Sequence, residues 1–360
     1  MKKLITSIFI LFFITYSYSY DTVETQNFAP LQNFESTIAE KYNIADLISI
    51  AYQKNPKLKS VKFMWEQEIE KYPQAASLDD PMFNTQVFQN GAKELRLMQK
   101  IPYPGTLSAQ KDLIKINTAI SKEEYENILR DLIVDIKINY FELIYLNEAI
   151  AITEQNQELL NYILKIAGTK YANDKTSLND LLKAESQLAQ LSYDVITLKE
   201  LKEVIKSKLL SLVNLPQSLK IGEPQQIELK ILDLKLDDLY KLLLSQKQEI
   251  RIADLKVRQM RKEKILTENM IKPMFNVGVM YGTKSGLSDF SNDMTSFEIG
   301  LNIPFLSKKN SSKRAQAELD ISIAQEEKKD MENMAMAEIK EIYFNLCFQK
   351  QIKQLVLLKT

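Results

Sequence analysis

The sequence predicts a mainly α-helical protein with a minor β part, in which long antiparallel coiled-coil hairpins accompany two β-hairpins. Three observations support this fold class. A unit longer than about a hundred residues occurs twice, a long region has no proline and almost no glycine, and two short segments alternate apolar with polar residues. Short solenoid repeats have periods of roughly 20 to 50 residues, so the longer unit indicates a tandem duplication of a half-molecule.

The duplication is visible as matched landmarks along the chain. Pro-Met-Phe-Asn at 81–84 returns unchanged at 273–276, and the Ile-Pro pair at 101–102 returns at 303–304. The offset grows from 192 to 202 residues between these landmarks, which places an insertion inside the second copy. The predicted divisions are a signal peptide at 1–19, an N-terminal extended segment at 20–43, a first repeat at 44–215, a linker at 216–235 and a second repeat at 236–360.

The first residues have the pattern of a secretory signal peptide. Lys2 and Lys3 precede an apolar run at 4–14, and Ser-Tyr-Ser at 17–19 provides a small-x-small cleavage site. A membrane-spanning helix needs roughly 20 apolar residues, so an uncleaved anchor is the less favoured alternative. We therefore expect an exported mature chain.

The proline-free region predicts a helical hairpin at about 107–213. Apolar residues recur at separations of three and four up to about residue 170 and again from residue 178, as in an antiparallel coiled coil. Some sixty helical residues would reach about 90 Å, which is too long for one globular core. Ser177 with Asp180 three residues later resembles a capping box, which places the hairpin tip near 172–177.

Several aromatic residues of the helical segments are predicted to lie in the core. Tyr140 and Phe141 of the first copy match Tyr343 and Phe344 of the second. Trp65 lies in a helical stretch ahead of the first strand segment. Large rings at helical spacing are more often packing residues than functional ones, so we expect the four matched rings in the core and Trp65 as a packing residue.

Two β-hairpins are predicted, at about 82–101 and 274–303. Asn90-Gly91 between the alternating runs of the first is a strong turn signal. In the second, one set of side chains is apolar and is predicted to face lipid, while the other is small or polar and is predicted to face a water-filled lumen. The lipid-facing set is Phe275, Val277, Val279, Phe297, Ile299 and Leu301, and the lumen-facing set is Asn276, Gly278, Glu298, Gly300 and Asn302.

The two predicted faces need different surroundings. An isolated β-hairpin is only marginally stable in water, and few other apolar segments are available to cover these two. One alternative is an ordinary sheet whose apolar side packs on a core. A closed transmembrane barrel instead covers the apolar side with lipid. Four strands are half of the smallest common barrel, so closure requires several chains.

Composition excludes several classes of function. Lysine plus arginine equals aspartate plus glutamate at 47 each, so no basic surplus exists for binding nucleic acid. The chain has no histidine and a single cysteine, Cys347, which excludes histidine-based triads and histidine or multi-cysteine metal sites. We therefore expect no catalytic residues, no cofactor and no bound metal. A secreted enzyme based on carboxylates is an alternative that no constellation supports.

Together these features resemble the TolC family of outer-membrane efflux channels over nearly the whole mature chain. The residues concerned are the signal peptide, the duplicated helix, strand hairpin and long helical hairpin, and the tip from Lys170-Tyr171 to Ser-Leu-Asn-Asp-Leu-Leu at 177–182. Ile-Pro-Tyr-Pro-Gly at 101–105 also resembles the cation and heavy-metal branch of the family.

The resemblance implies an architecture and a set of partners. Three chains would form a twelve-stranded barrel in the outer membrane of a Gram-negative cell, continued by an α-helical barrel into the periplasm. The homotrimer would be a passive exit duct in a tripartite efflux system. An inner-membrane efflux pump would deliver the substrates through a periplasmic adaptor, also called a membrane fusion protein, and no step would be catalytic.

The hairpin tip is the predicted site of adaptor docking, formed by Asn173, Asp174, Lys175, Ser177 and Leu178. Asp174 stands where family members usually have glycine, and Asn or Asp at this point can adopt the left-handed conformation that a helix end often needs. A solvated loop with an ordinary helix cap is the alternative interpretation.

The second copy is shorter than the first. Only 16 residues follow Phe344, so we expect a shortened family member whose second helical hairpin is incomplete and to which the family's gate residues cannot be transferred. A periplasmic coiled-coil adaptor or structural protein that never enters the membrane is the alternative from another class. An adaptor would have one helical hairpin between β halves, whereas this chain duplicates both kinds of hairpin.

Overall fold

The computed structural model describes residues 41–89, 92–173, 177–225, 235–283, 294–305 and 307–357. The predicted signal peptide and the Asn90-Gly91 turn lie outside these residues. The elements in chain order are β1 (Lys41–Tyr42), α1 (Ile44–Lys54), α2 (Pro56–Ala76), β2 (Met82–Val87), β3 (Lys93–Ile101), α3 (Thr106–Ala172), α4 (Leu178–Leu212), β4 (Glu223–Pro224), α5 (Leu236–Gln246), α6 (Gln248–Met270), β5 (Met274–Thr283), β6 (Met294–Asn302) and α7 (Ser307–Leu357).

The described chain is mainly helical with a small β part, in agreement with the predicted fold class. Helices α3 and α4 have 67 and 35 residues and occupy the predicted helical hairpin. They run antiparallel, because Gln157 of α3 donates to the Ser192 hydroxyl at 2.8 Å while Glu154, earlier in α3, pairs with Lys199, later in α4, at 2.7 Å. In the described part of the chain, no helix combines the length and apolarity needed to cross a membrane.

The chain divides into two compact units. Unit 1 contains Met1–Lys59, Ile128–Tyr240 and Glu338–Thr360. Unit 2 contains Ser60–Asn127 and Lys241–Ala337.

Unit 1 has a core built from helical residues at spacings of three and four. On α3 the buried side chains are Ile136, Tyr140 and Leu143, which share one face because 3.6 residues make a turn. Leu47 and Ile50 of α1 are equally buried. Each such Leu or Ile contributes roughly 1.5–3 kcal/mol on leaving water, so burial of this stripe is a main source of the unit's stability.

Asparagine side chains determine where the helices of unit 1 begin and end. Asn43 starts α1 with a capping box, since its side chain accepts from the Asp46 N–H at 2.9 Å and the Asp46 carboxylate accepts from the Asn43 N–H at 3.1 Å. Asn55 accepts from the Leu58 N–H at 2.9 Å and donates to the Leu212 carbonyl at 2.8 Å. The Asn55 side chain therefore satisfies one backbone N–H at the start of α2 and one backbone carbonyl at the end of α4.

A buried tyrosine joins three segments of unit 1. The Tyr140 hydroxyl donates to the Gln225 carbonyl at 2.7 Å and approaches the Tyr42 carbonyl at 3.3 Å. The Tyr42 ring lies edge-on to the Tyr140 ring at 5.8 Å, and β1 pairs in parallel with β4. Burial raises the pKa of Tyr140 to about 12, and burial together with the neighbouring Tyr140 raises the pKa of Tyr42.

Glu223 of β4 connects this strand to both long helices. Its carboxylate accepts from Asn147 of α3 at 2.6 Å and from Lys202 of α4 at 2.9 Å. Burial by itself would raise the pKa of Glu223, but the hydrogen bond and charge of Lys202, with the Asn147 hydrogen bond and the Lys206 charge, outweigh it, so the pKa is lowered. The short strand is thus tied to the helices by an ionised carboxylate.

Unit 2 contains ion pairs that join its helices in a regular order. Asp112 of α3 accepts from Lys262 of α6 at 2.8 Å, and Glu123, later in α3, pairs with Arg251, earlier in α6. These helix segments are therefore antiparallel. The hydrogen bond from Lys262 lowers the pKa of Asp112. The Asp112–Lys262 pair is exposed and contributes only about 0–1 kcal/mol, so it aligns the helices more than it stabilises them, whereas Glu123 of the other pair is buried.

The aromatic prediction is confirmed for some residues and wrong for one. Tyr140 is fully buried, and Trp65 stacks on Tyr125 at 6.0 Å. Phe344 is 56% exposed although its counterpart Phe141 is half-buried. The two copies share a helical pattern, but burial depends on the neighbours that each copy acquires in the fold.

The strands of unit 2 form one antiparallel sheet in the order β2-β3-β5-β6. The first hairpin, β2 and β3, comes from the first copy, and the second, β5 and β6, comes from the second copy. They meet along β3 and β5, where Leu97 pairs with Val279 and Ile101 with Phe275. The duplicated hairpins therefore make a single surface.

Candidate membrane-spanning sheet and helical tip

The register of the sheet gives it one apolar and one polar face. Directly paired residues of antiparallel strands lie on the same side, and side chains alternate along each strand. We define the apolar face as Phe83, Thr85, Val87, Lys93, Leu95, Leu97, Gln99, Ile101, Phe275, Val277, Val279, Tyr281, Thr283, Thr295, Phe297, Ile299 and Leu301. The polar face consists of the alternate residues. All six predicted lipid-facing residues fall on the first face, and all five predicted lumen-facing residues on the second.

The apolar face is open in this chain. Phe297 and Ile299 are 83% and 80% exposed, and Phe83 and Val87 of the opposite edge strand are also exposed. Soluble monomers rarely leave a continuous apolar surface of this kind uncovered, so such a patch indicates contact with another protein or with lipid. β2 and β6 are the outer strands of the sheet. Outer strands present unpaired backbone groups that favour pairing with another chain.

The polar face has a charged centre. Arg96 of β3 lies 2.9 Å from the Glu94 carboxylate on its own strand and 3.4 Å from the Glu298 carboxylate on β6. Its guanidinium also lies 3.7 Å from the Met280 sulfur of the intervening strand. The Arg96 side chain therefore crosses β5 and links the hairpins of the two copies.

Gly278 of β5 lies unusually close to the neighbouring strand β3. It pairs with Met98 on one side and with Glu298 on the other. A Cβ atom at residue 278 would lie 2.9 Å from the Leu97 carbonyl oxygen and 3.1 Å from the Met98 Cγ. Gly282, on the same face, would place a Cβ no closer than 3.9 Å to its nearest neighbour, the Lys93 carbonyl oxygen. At Gly278 the neighbouring strand β3 therefore leaves no room for a side chain.

The tip of the long hairpin is partly described. Ser177 is the N-cap of α4, because its hydroxyl accepts from the Asp180 N–H at 3.2 Å and donates to the Asp180 carboxylate at 2.7 Å. Asn173 donates to the Thr169 carbonyl at 2.7 Å, which caps the end of α3. Leu178 is half exposed, while Asp174 and Lys175 lie outside the described residues. The predicted tip residues that are described are therefore local capping groups beside an exposed leucine.

Within the described residues, no group of three or more histidine, cysteine, aspartate or glutamate side chains could hold a metal ion. The sheet can separate two media, because its apolar face suits an apolar surrounding and its polar face suits water.

Sequence reasoning missed two features of the sheet. The pairing of β3 with β5 joins segments more than 170 residues apart, and no local pattern specifies it. The contact of Arg96 with Glu298 follows from that pairing. A signal for it was present, because Arg96 and Glu298 are oppositely charged and stand on the polar sides of their strands.

A chain with these long antiparallel helices, this four-stranded sheet and these two opposed faces has the fold of outer-membrane channel proteins. Solved structures bear this out. The outer-membrane channel OprN matches with a TM-score of 0.73 and 14% identity over 87% of this chain and 76% of that chain. The outer membrane protein VceC of Vibrio cholerae matches with a TM-score of 0.69 and 16% identity over 86% of this chain and 80% of that one.

The CmeC outer membrane channel of Campylobacter jejuni matches with a TM-score of 0.67 and 15% identity over 85% of this chain and 72% of that chain. No protein-family model and no curated sequence matches the chain. The predicted resemblance to the TolC family is therefore confirmed as a likeness of fold.

Proposed function

We propose that this protein is an outer-membrane channel of the TolC family and the exit duct of a tripartite efflux system. The observation that supports it most directly is the continuous exposed apolar face of the sheet, opposite a polar face, in a chain with the fold of outer-membrane channels. The mature chain acts after export, without a catalytic step, and extends from the outer membrane into the periplasm.

The dimensions of the sheet suit this role. β5 has 10 residues, which at about 3.4 Å each give a length of about 34 Å. A strand tilted by about 45° then spans about 24 Å, close to the apolar band of roughly 25 Å in barrels of the outer membrane. Three chains supply twelve strands when β6 of one chain pairs with β2 of the next. In this homotrimer the apolar faces meet lipid and the polar faces line the lumen.

Partners follow from the same architecture. An inner-membrane pump provides the energy, and a periplasmic adaptor docks at the tip formed by residues 173–178. Leu178 supplies exposed apolar surface there, and the capping groups Asn173 and Ser177 hold the helix ends that present it.

The channel proposal is tested by extracting the full-length protein from membranes and adding it to a planar lipid bilayer. We expect a detergent-stable trimer that produces stepwise ion conductance. A soluble monomer without conductance would contradict the proposal and favour a periplasmic structural role.

The tip proposal is tested with a photo-crosslinking residue at Leu178 in intact cells. We expect a cross-linked product that mass spectrometry identifies as a periplasmic protein with its own helical hairpin. The matched control is the same probe at Tyr193, an exposed residue further along α4. Equal cross-linking from both positions would contradict docking at the tip.

A further inference from the structure

The polar face of the described strands has four charged side chains: Glu94, Arg96 and Lys100 on β3 and Glu298 on β6. Glu94, Arg96 and Glu298 form one cluster through the ion pairs described above, with a formal charge of −1. Lys100 lies two strands from Glu298 and two residues away from it in register, which gives a backbone separation of about 12 Å. This separation exceeds the Debye length of about 8 Å at physiological salt, so Lys100 cancels little of the cluster's charge in water.

The cluster lies near mid-height of the sheet. Arg96 is the fourth of the nine residues of β3, and Glu298 is the fifth of the nine residues of β6. Both side chains remain partly open, at 38% and 41% exposure. They therefore bind each other and still meet the solvent on the polar face.

Arg96 has two effects on this surface. It neutralises one of the two carboxylate charges, and it holds Glu94 and Glu298 together across β5, where its guanidinium lies beside the Met280 sulfur. Guanidinium groups suit this arrangement, because their planar donors can serve two acceptors at once. Without Arg96 the cluster would have a formal charge of −2 per chain.

We propose that the Glu94–Arg96–Glu298 cluster is a charge filter that favours small cations over small anions, and that Arg96 determines the strength of this preference. The inference rests on the proposed function, in which polar faces of three chains line one lumen. Three clusters then place a formal charge of −3 within about 13 Å along the pathway, the separation of Glu94 and Glu298 in the sheet register. A lumen lined by one sign of charge raises the local concentration of counter-ions.

The preference is measured as a reversal potential across a planar bilayer with a potassium chloride gradient, using the full-length protein. Potassium and chloride have nearly equal mobility in water, so the potential reports the charge of the pathway. We expect the wild-type channel to favour potassium and Arg96→Gln to raise the permeability ratio of potassium to chloride by about two- to fivefold. A change of less than one kT in local potential, acting oppositely on the two ions, is sufficient for this effect.

Further variants separate charge from structure. Glu94→Gln, which keeps the contact of Arg96 with Glu298, should lower the permeability ratio. Exchange of the pair, Arg96→Glu with Glu298→Arg, keeps the net charge and should leave the ratio close to wild type. Arg258→Gln, at an exposed position of α6, is the matched control and should change nothing.

The outcomes distinguish the two proposals. A conducting channel whose permeability ratio is the same in Arg96→Gln, Glu94→Gln and wild type would overturn the charge filter but leave the proposed channel intact. Absence of conductance from the wild-type protein would overturn both. If Arg96→Gln fails to assemble, Glu94→Gln and the exchanged pair still test whether the cluster sets the permeability ratio, because both keep an arginine in the cluster.

Discussion

Neighbouring residues of β6 offer a direct test of the two faces of the sheet. Phe297 points from the apolar face and is 83% exposed, while Ser296 points from the polar face. Both lie near the middle of the nine-residue strand. Replacing either residue with lysine introduces the same charge at nearly the same height, so the two variants differ mainly in the medium that the charge meets.

The expected difference is large because lipid does not solvate an ammonium group. Lysine on the lipid face of a barrel costs about 2–4 kcal/mol near the bilayer midplane. Three copies in the proposed trimer raise the cost of Phe297→Lys to roughly 6–12 kcal/mol. In Ser296→Lys the new side chain lies on the polar face, next to Met280 of β5, and meets water there. We therefore expect this variant to lose little stability. The total for Phe297→Lys is comparable to the whole stability of many proteins.

The assay is refolding of each purified full-length variant into lipid vesicles across a urea series, read by the fraction of trimer that resists detergent. We expect Ser296→Lys to assemble at nearly the urea concentration of the wild type and Phe297→Lys to fail or to require far less urea. Equal assembly of the two variants, or a greater defect in Ser296→Lys, would refute the assignment of lipid to the apolar face.

Three other predictions concern packing and titration. Gly278→Ala should lower the urea midpoint by the equivalent of about 1–3 kcal/mol, because its Cβ would lie 2.9 Å from a backbone oxygen, whereas Gly282→Ala should be neutral or slightly stabilising. Tyr140→Phe should cost about 1 kcal/mol through the lost bond to the Gln225 carbonyl. The raised pKa of Tyr140 favours the neutral phenol in the folded state, so its contribution is complete below pH 10.0 and is lost as the pH rises through about 12. Urea midpoints of wild type and Tyr140→Phe across this range should therefore converge, and parallel curves would contradict the assignment. Glu223→Gln should cost less than about 1 kcal/mol at neutral pH, and the difference from wild type should vanish as the pH falls below 4.5, because the folded-state pKa is lowered. A difference that persists in acid would show that Glu223 acts through packing.

The elements that the sequence predicted best are those specified by short-range patterns. The helices at 106–172 and 178–212 were visible because apolar spacing of three and four extends over many turns without proline. The strands were visible because alternation with a period of two begins at each Pro-Met-Phe-Asn copy. Ser177 was recognisable as a helix cap because the bond to the Asp180 N–H is local.

Contacts between distant segments could not be predicted in this way. Tyr140 was expected in the core, but its hydrogen bond to Gln225 joins residues 85 positions apart. Phe344 is a second example, because its match to Phe141 predicted a buried side chain and the fold leaves it exposed. A local pattern states which side of a helix is apolar and not which segment covers it.

The sequence by itself determined the helical hairpin, the two β-hairpins and the apolar and polar side of each strand, because helix and strand periodicities are properties of neighbouring residues. Only the tertiary structure decided that β3 pairs with β5, which merges the hairpins of the two copies into one sheet with two continuous faces. That pairing also brings Arg96 to Glu298 across β5. The physical reason is that strand pairing uses backbone hydrogen bonds, which every residue except proline can make, so the sequence does not name the partner.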